Sequence, residues 1–234
     1  MAITTYAELQ DAIENQSSGW MFQDALADRA TDFIALCEAQ MNARLAKAPV
    51  RPMQVRVESV ISGEFMATPD DLVKPIAFEI TDIPGENEWR IPYIDPQDMA
   101  ERRWFSVAGV ARMQALTGLT LIPPENFTIV GSEFRFYPTP TQEWTGELTY
   151  FRTIPALSDT NTSNWMLSRH PDAYLFGSLA AAATFTRDKE LLRDMADLFV
   201  LAMDGVLASY PNQPGKAVLR IDDMPVVNRG WLLA

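Results

Sequence analysis

Residues 171–186 read PDAYLFGSLAAAATFT, a stretch that would be apolar on almost every side of a helix. Pro171 suits the first position of a helix, because an amide hydrogen there would have no partner within the helix. A helix without a polar face is buried among other elements. The stretch therefore predicts a buried helix, packed in a bundle with helices from both ends of the chain.

The segment that follows, residues 188–210, predicts the partner of this helix. Large apolar residues recur in it at steps of three and four, as in an amphipathic helix. At about 1.5 Å per residue the helix would span roughly 33 Å, which makes it the longest rigid element predicted for the chain. The stripe consists of Leu191, Leu192, Met195, Leu198, Phe199, Ala202, Met203, Val206 and Leu207.

Two more helices are predicted near the N-terminus. Residues 5–8 (TYAE) have the spacing of a capping box, and the first helix is expected to run to about Gln16. The second carries an apolar stripe from residue 26 to residue 45 and is closed by Pro49, with a break expected near residues 31–32, an N-capping pair. Its polar residues are predicted to point away from the stripe: Asp28, Asp32, Glu38 and Arg44.

From residue 51 the apolar period changes from 3.6 to 2, which indicates strands of a sheet with one wet face. Gly131-Ser132 predicts a two-residue hairpin turn, and Asp95-Pro96 predicts the start of a short helix over residues 97–104. The strands are predicted around Val55 and Val57, around Ile76, Phe78 and Ile80, around Trp89, Ile91 and Tyr93, and over residues 127–130, 133–137 and 147–153.

These segments together predict an α+β fold. Residues 1–50 and 164–210 are expected to form a helical bundle from the N- and C-terminal helices. Residues 51–163 are expected to form an inserted antiparallel β-rich subdomain. Residues 211–234 are expected to form an extended C-terminal docking arm.

The predicted arm is apolar but has no helical period, and it contains Pro225 and Gly230. Disordered segments are usually poor in such apolar residues, so the arm is expected to dock somewhere. Two destinations remain open at this point, a partner surface and an edge of the chain's own sheet. The predicted partner-interface residues are Arg220, Ile221, Trp231, Leu232 and Leu233.

The composition bounds the function. A formal net charge of −12 and a pI near 4.5 disfavour sequence-specific DNA binding, because the chain repels phosphates. A single cysteine, Cys37, excludes an internal disulfide and fits a reducing compartment. No window has the length of a membrane span, and the start lacks the pattern of a signal peptide. We therefore expect a protein made in a cytoplasm.

Candidate chemistry is sparse in this sequence. The one histidine, His170, precedes a predicted helix, where a capping or core role is favoured over general base catalysis. Cys37 lies on an apolar stripe, as a buried structural thiol does. Metal-binding motifs and nucleotide-binding loops are absent, and Asp70-Asp71 and Asp222-Asp223 are adjacent carboxylates rather than chelating pairs. No catalytic, cofactor-binding or metal-binding residue is predicted.

Several stretches, taken together and in order, resemble the head-to-tail adaptor (connector) family of tailed bacteriophages. The C-terminal stretches are the most specific, because a tryptophan, Pro-Asp, Tyr-Leu-Phe-Gly and an alanine-rich helix follow one another. The segment 51–118 resembles the family pattern least. The similar stretches are residues 33–40 with Arg44-Leu45, 128–138, 148–151, 164–167, 171–177 and Arg187-Asp188.

The resemblance implies a structural protein of the virion neck, made in the host cytoplasm, with no catalytic residues. It implies that the protein docks beneath the portal protein, typically as a ring of twelve copies, and carries the tail (nozzle or tail-tube) proteins below. Genomic DNA would pass through the lumen of the ring without sequence-specific binding. No membrane partner and no cofactor are implied.

Two other classes of function remain open from the residues themselves. One is a tail or capsid-surface binding module. The other is a small hydrolase whose carboxylates are brought together only by folding, which sequence spacing does not exclude.

Overall fold

The structure is a computed structural model that describes residues 3–17, 29–82, 89–102 and 123–210. Six α-helices lie in these ranges, together with a turn of 3₁₀-helix at Arg51–Met53. The α-helices are α1 (Tyr6–Ser17), α2 (Ala30–Leu45), α3 (residues 96–102), α4 (Trp165–Arg169), α5 (Pro171–Thr186) and α6 (Lys189–Ser209).

Seven strands form two antiparallel sheets in the described part of the chain. The four-stranded sheet has the order β1-β7-β3-β4, and the three-stranded sheet has the order β2-β6-β5. The mixed α+β class with antiparallel sheets is confirmed. The strands are β1 (Gln54–Ile61), β2 (Phe65–Ala67), β3 (Leu72–Ile80), β4 (Trp89–Ile91), β5 (Asn126–Val130), β6 (Glu133–Tyr137) and β7 (Trp144–Arg152).

The predicted helix starts are largely confirmed by their caps. The amide of Glu8 donates to Thr5 Oγ1 (3.3 Å) and the amide of Thr5 donates to Glu8 Oε2 (3.1 Å), which completes the capping box of α1. Asp188 caps α6 by accepting from two amides of the first turn. Pro171 opens α5, as the sequence predicts.

The start of α2 lies close to the break predicted near residues 31–32, because the helix begins at Ala30 after Arg29, whose backbone is not α-helical, but no side chain caps it. Ala30 and Phe33 in its first turn are buried. Packing, rather than a side-chain cap, therefore stabilises the start of this helix. Residues 26–28, which the prediction also assigned to the helix, lie outside the described residues.

Strand boundaries differ from the prediction in the middle of the chain. Strand β7 begins at Trp144 rather than residue 147, because Trp144 is buried and pairs with Ile61. The short strand β2 was not predicted. Tyr93, which was predicted to continue β4, instead forms an isolated parallel bridge with Phe127.

The hairpin turn predicted at Gly131 is confirmed. Gly131 has φ 65°, a backbone conformation that favours glycine.

An aromatic core joins the two sheets. Phe78 of β3 lies 5.9 Å from Phe127 of β5 and 5.3 Å from Phe136 of β6, measured between ring centroids. Phe134 completes the cluster at 6.0 Å from Phe78. Rings at these separations and tilts pack favourably edge to face. The sheets therefore face each other as a sandwich whose core is filled by phenylalanine.

A second core is built around α5, which packs against α1, α2, α4 and α6. Gly177 of α5 lies between α2 and α6. A Cβ atom at this position would overlap Cys37 Sγ of α2 and lie 3.0 Å from the ring of Phe199 in α6. The absence of a side chain at residue 177 thus lets two helices contact the α5 backbone.

Replacement of Gly177 by alanine tests this close approach. We expect Gly177→Ala to lower the free energy of unfolding by about 1–3 kcal/mol, because overpacking outweighs the better helix propensity of alanine. The measurement is urea unfolding of the chain alone.

The matched control is Gly205→Ala in α6, where an added Cβ meets no atom within 4 Å. There the helix propensity acts alone and should raise stability by about 0.5–1 kcal/mol. Equal changes in the free energy of unfolding for Gly177→Ala and Gly205→Ala would contradict the proposed close packing at Gly177.

Candidate docking surfaces

The predicted partner-interface residues cannot be placed on a surface, because all of them lie outside the described residues, which end at residue 210. They are Arg220, Ile221, Trp231, Leu232 and Leu233. Asp222-Asp223 lie outside as well. The described surfaces are therefore those of the helical core and of the sandwich.

A buried polar network lies in the helical core and holds the segment that follows β7. Glu38 of α2 is 7% exposed, and its carboxylate accepts from the amide of Leu157 (2.8 Å) and from the hydroxyl of Tyr174 (3.0 Å). Burial raises the pKa of Glu38 and that of Tyr174. The prediction that Glu38 points away from the buried stripe of its helix is wrong.

Two asparagines extend this network along the segment that follows β7. Asn42, one turn after Glu38, accepts from the amide of Ile154 (2.8 Å). Asn164 caps α4 through the amide of Leu167 (2.9 Å) and donates to the hydroxyl of Tyr174 (2.7 Å). Each of these bonds satisfies a polar group that would be costly to bury alone. The network is a structural clamp between α2, α5 and the chain returning from the sandwich.

The titratable residues considered for catalysis occupy structural positions. Cys37 is fully buried, and burial raises the pKa of its thiol to about 12, so it stays protonated and unreactive. Asp71 accepts from the hydroxyl of Tyr150 (2.8 Å) beside β3. Within the described ranges, no group of three or more His, Cys, Asp or Glu residues could hold a metal ion.

His170 lies between α4 and α5. Its amide donates to the carbonyl of Met166 (2.7 Å), and its carbonyl accepts from the amide of Ala173 (3.2 Å), so its backbone serves both helix ends. Its side chain makes no capping hydrogen bond to α5. The imidazole ring is half-buried, and its centroid lies 5.9 Å from the centroid of the Tyr210 ring. Burial lowers the pKa of His170. The predicted capping role therefore belongs to the backbone rather than to the imidazole.

Exposed apolar side chains occur on both parts of the molecule. On the helices, Leu36 of α2 and Leu201 of α6 are 54% and 69% exposed. On the sandwich, Val60 of β1 and Phe65 of β2 are about half exposed. Single exposed apolar side chains are ordinary on soluble proteins, whereas a contiguous patch of them marks a site of contact with another molecule. These four residues therefore do not by themselves define a docking surface.

An acidic row crosses the outer face of the four-stranded sheet. Glu58, Glu147 and Glu79 lie directly opposite one another on β1, β7 and β3, and Arg90 of β4 follows Glu79. Arg56 forms an ion pair with Glu147. Like charges in opposing positions are unfavourable, and the two arginines beside the row offset part of this repulsion.

None of the helices in the described ranges is both long enough and apolar enough to span a lipid bilayer.

The described residues form two hydrophobic cores, one helical and one in the sandwich. The family model of the SU10 adaptor protein matches residues 4–220. The chain therefore belongs to the SU10 adaptor protein family, and the family resemblance read from the sequence is confirmed. This is a family of phage adaptors, whose role is structural. No curated protein matches the chain.

Sequence reasoning missed the clamp and the acidic row for different reasons. A carboxylate next to an apolar stripe carries no signal that distinguishes a solvated from a buried position. The row depends on strand register, and residues 58, 79 and 147 are far apart in the chain. Only the spacing of Glu38 and Asn42, one turn apart on the same helix, could have suggested that they act together.

Replacement of Glu38 by glutamine tests the buried carboxylate. Because its pKa lies above the ordinary value of 4.5, the folded chain binds this proton more tightly than the unfolded chain does. Its contribution to stability is thus fully present below pH 4.5 and is lost as the pH rises through the raised folded pKa. Relative to Glu38→Gln, the wild type should gain stability as the pH falls from neutral towards 4.5.

The measurement is urea unfolding of both proteins across this pH range. Glu133→Gln, at an exposed position in the β5–β6 hairpin, serves as the control and should follow the wild type at every pH. If the difference in the free energy of unfolding between wild type and Glu38→Gln does not change with pH, burial does not raise the pKa of Glu38.

Proposed function

We propose that this chain is the head-to-tail adaptor of a tailed phage, located in the neck of the virion. Copies form a ring below the portal protein, join the exit vertex of the capsid to the tail components and surround the passage of the DNA. The observation that carries the proposal is the family match, which extends from residue 4 to residue 220. The protein acts by holding other proteins in place and performs no catalysis.

The distribution of the two cores supports a corresponding domain organisation. Buried residues of the helical core come from residues 6–53 and 154–206, whereas those of the sandwich core come from residues 61–150. We infer that residues 1–50 and 164–210 form one helical body. The β-rich residues 51–163 are inserted into it, so that each body can present its own surface to a different neighbour in the neck.

The charge of the chain supports a passage to which DNA does not adhere. The net charge is −12, so the chain as a whole is negative at neutral pH. A negative protein repels the phosphate backbone of DNA over the short distances at which charges interact in salt solution. The ring would then guide DNA without binding it.

Residues 211–234 are proposed to act as the docking arm, which contacts the portal or a neighbouring subunit. Trp231, Leu232 and Leu233 are its proposed anchors, and Arg220 and Ile221 are proposed to take part in the contact. The sequence supports this because large apolar and aromatic groups dominate the energetics of protein interfaces.

Assembly with the portal protein of the same phage tests the proposal. We expect the full chain to comigrate with the portal in size-exclusion chromatography and to add ring-shaped density to it in negative-stain images. A chain that stays monomeric and does not bind the portal protein would contradict the proposed function.

Deletion of residues 216–234 tests the arm separately. The truncated chain should keep its circular dichroism spectrum and its unfolding midpoint but lose most of its comigration with the portal. The triple change Trp231→Ala, Leu232→Ala, Leu233→Ala should reproduce the loss, and Val226→Ala with Val227→Ala is the matched control. Loss of folded protein would instead place the segment in the core, and undiminished assembly would exclude it as an anchor.

A further inference from the structure

Helix α6 has an outer face that the helical core does not use. Its inner face is buried through Phe199, Ala202, Met203 and Val206. On the opposite side Asp197, Leu201, Gly205 and Ala208 are all exposed. Their spacing of four, four and three residues places them on one side of the helix. This outer face therefore has one large apolar residue followed by two small ones.

Helix α2 has an outer face of related composition. Leu36, Ala39, Ala43 and Lys47 are all exposed, the last of them just after the end of the helix. Their spacing of three, four and four residues is that of the α6 residues in reverse order. Both outer faces point away from α5, against which the two helices pack. The two faces of one chain consequently do not contact each other.

The reversed spacing makes the two faces complementary in an antiparallel alignment. Leu201 then lies over Ala43, Gly205 over Ala39, Ala208 over Leu36, and Asp197 beside Lys47. Each leucine meets an alanine, and the middle pair is small on both sides, so side chains interdigitate while the helices approach closely. The terminal pair has opposite charges, which favours this alignment over a shifted one.

We propose that the outer face of α6 packs antiparallel against the outer face of α2 of a second copy of this chain. The contact deepens the proposed function, on which it rests, because a ring needs two different surfaces on each subunit. A contact between two α6 helices is disfavoured, since Asp194, Asp197 and Asp204 are exposed on α6 and two such acidic helices repel each other. A single helix pair is a small interface, so it is expected to persist mainly within the closed ring.

Thiol crosslinking in the assembly with portal protein tests this contact. The native Cys37 is buried and its thiol stays protonated, so cysteines introduced at the surface are the ones that react. One variant carries Ala39→Cys and another carries Gly205→Cys, each in the full chain. The two are mixed, assembled on the portal and treated with a short bifunctional maleimide.

We expect a covalent dimer from the mixture and none from either variant alone. A chain with both changes should give a ladder of covalent oligomers. A chain with Gly205→Cys and Thr145→Cys is the matched control and should give none, because Thr145 is exposed on the sheet rather than on α2. Crosslinking of Gly205→Cys with itself would overturn the proposal in favour of paired α6 helices.

Charge exchange provides a second readout. Asp197→Lys alone and Lys47→Asp alone should each lower the crosslinked fraction several-fold, and the two changes together should restore it. Absence of both crosslinking and charge rescue, with rings still visible on the portal, would refute this contact and leave the proposed function intact. Failure of the wild-type chain to assemble on the portal would refute the proposed function itself.

Discussion

The buried carboxylate of Glu38 is the constraint on which the packing of the helical core around α5 depends. It receives the amide of Leu157 and the hydroxyl of Tyr174, so one side chain of α2 holds both the segment returning from the sandwich and the central helix α5. A buried charge without such partners would cost several kcal/mol. The segment that follows β7 is thus held against α2 by a hydrogen bond that the helical core cannot omit.

Close packing at Gly177 complements this polar constraint. Because residue 177 has no side chain, α2 and α6 both reach the backbone of α5, and Cys37 and Phe199 fill the space there. The helical core is therefore rigid along α5 and turns the outer faces of α2 and α6 towards solvent. Rigid outer faces favour a repeated assembly, because less conformational entropy is lost when each contact forms.

Much of the fold could be predicted from local signals. The capping box at Thr5, the proline at residue 171 and the glycine at residue 131 act through near neighbours, so their consequences can be read in the sequence. Burial of Glu38, the early start of β7 at Trp144 and the acidic row depend on contacts between distant residues. For the same reason the candidate surfaces could not be located, although the structural class of the protein was predicted.

We propose that copies of this chain form the adaptor ring of a phage neck. A cryo-electron microscopy reconstruction of the neck in the intact phage particle tests it most directly. We predict density between portal and tail that accommodates repeated copies of the helical core and the sandwich around the DNA axis. Neck density that fits no copy of this fold, with the chain found instead at the tail tip or on the capsid surface, would contradict it.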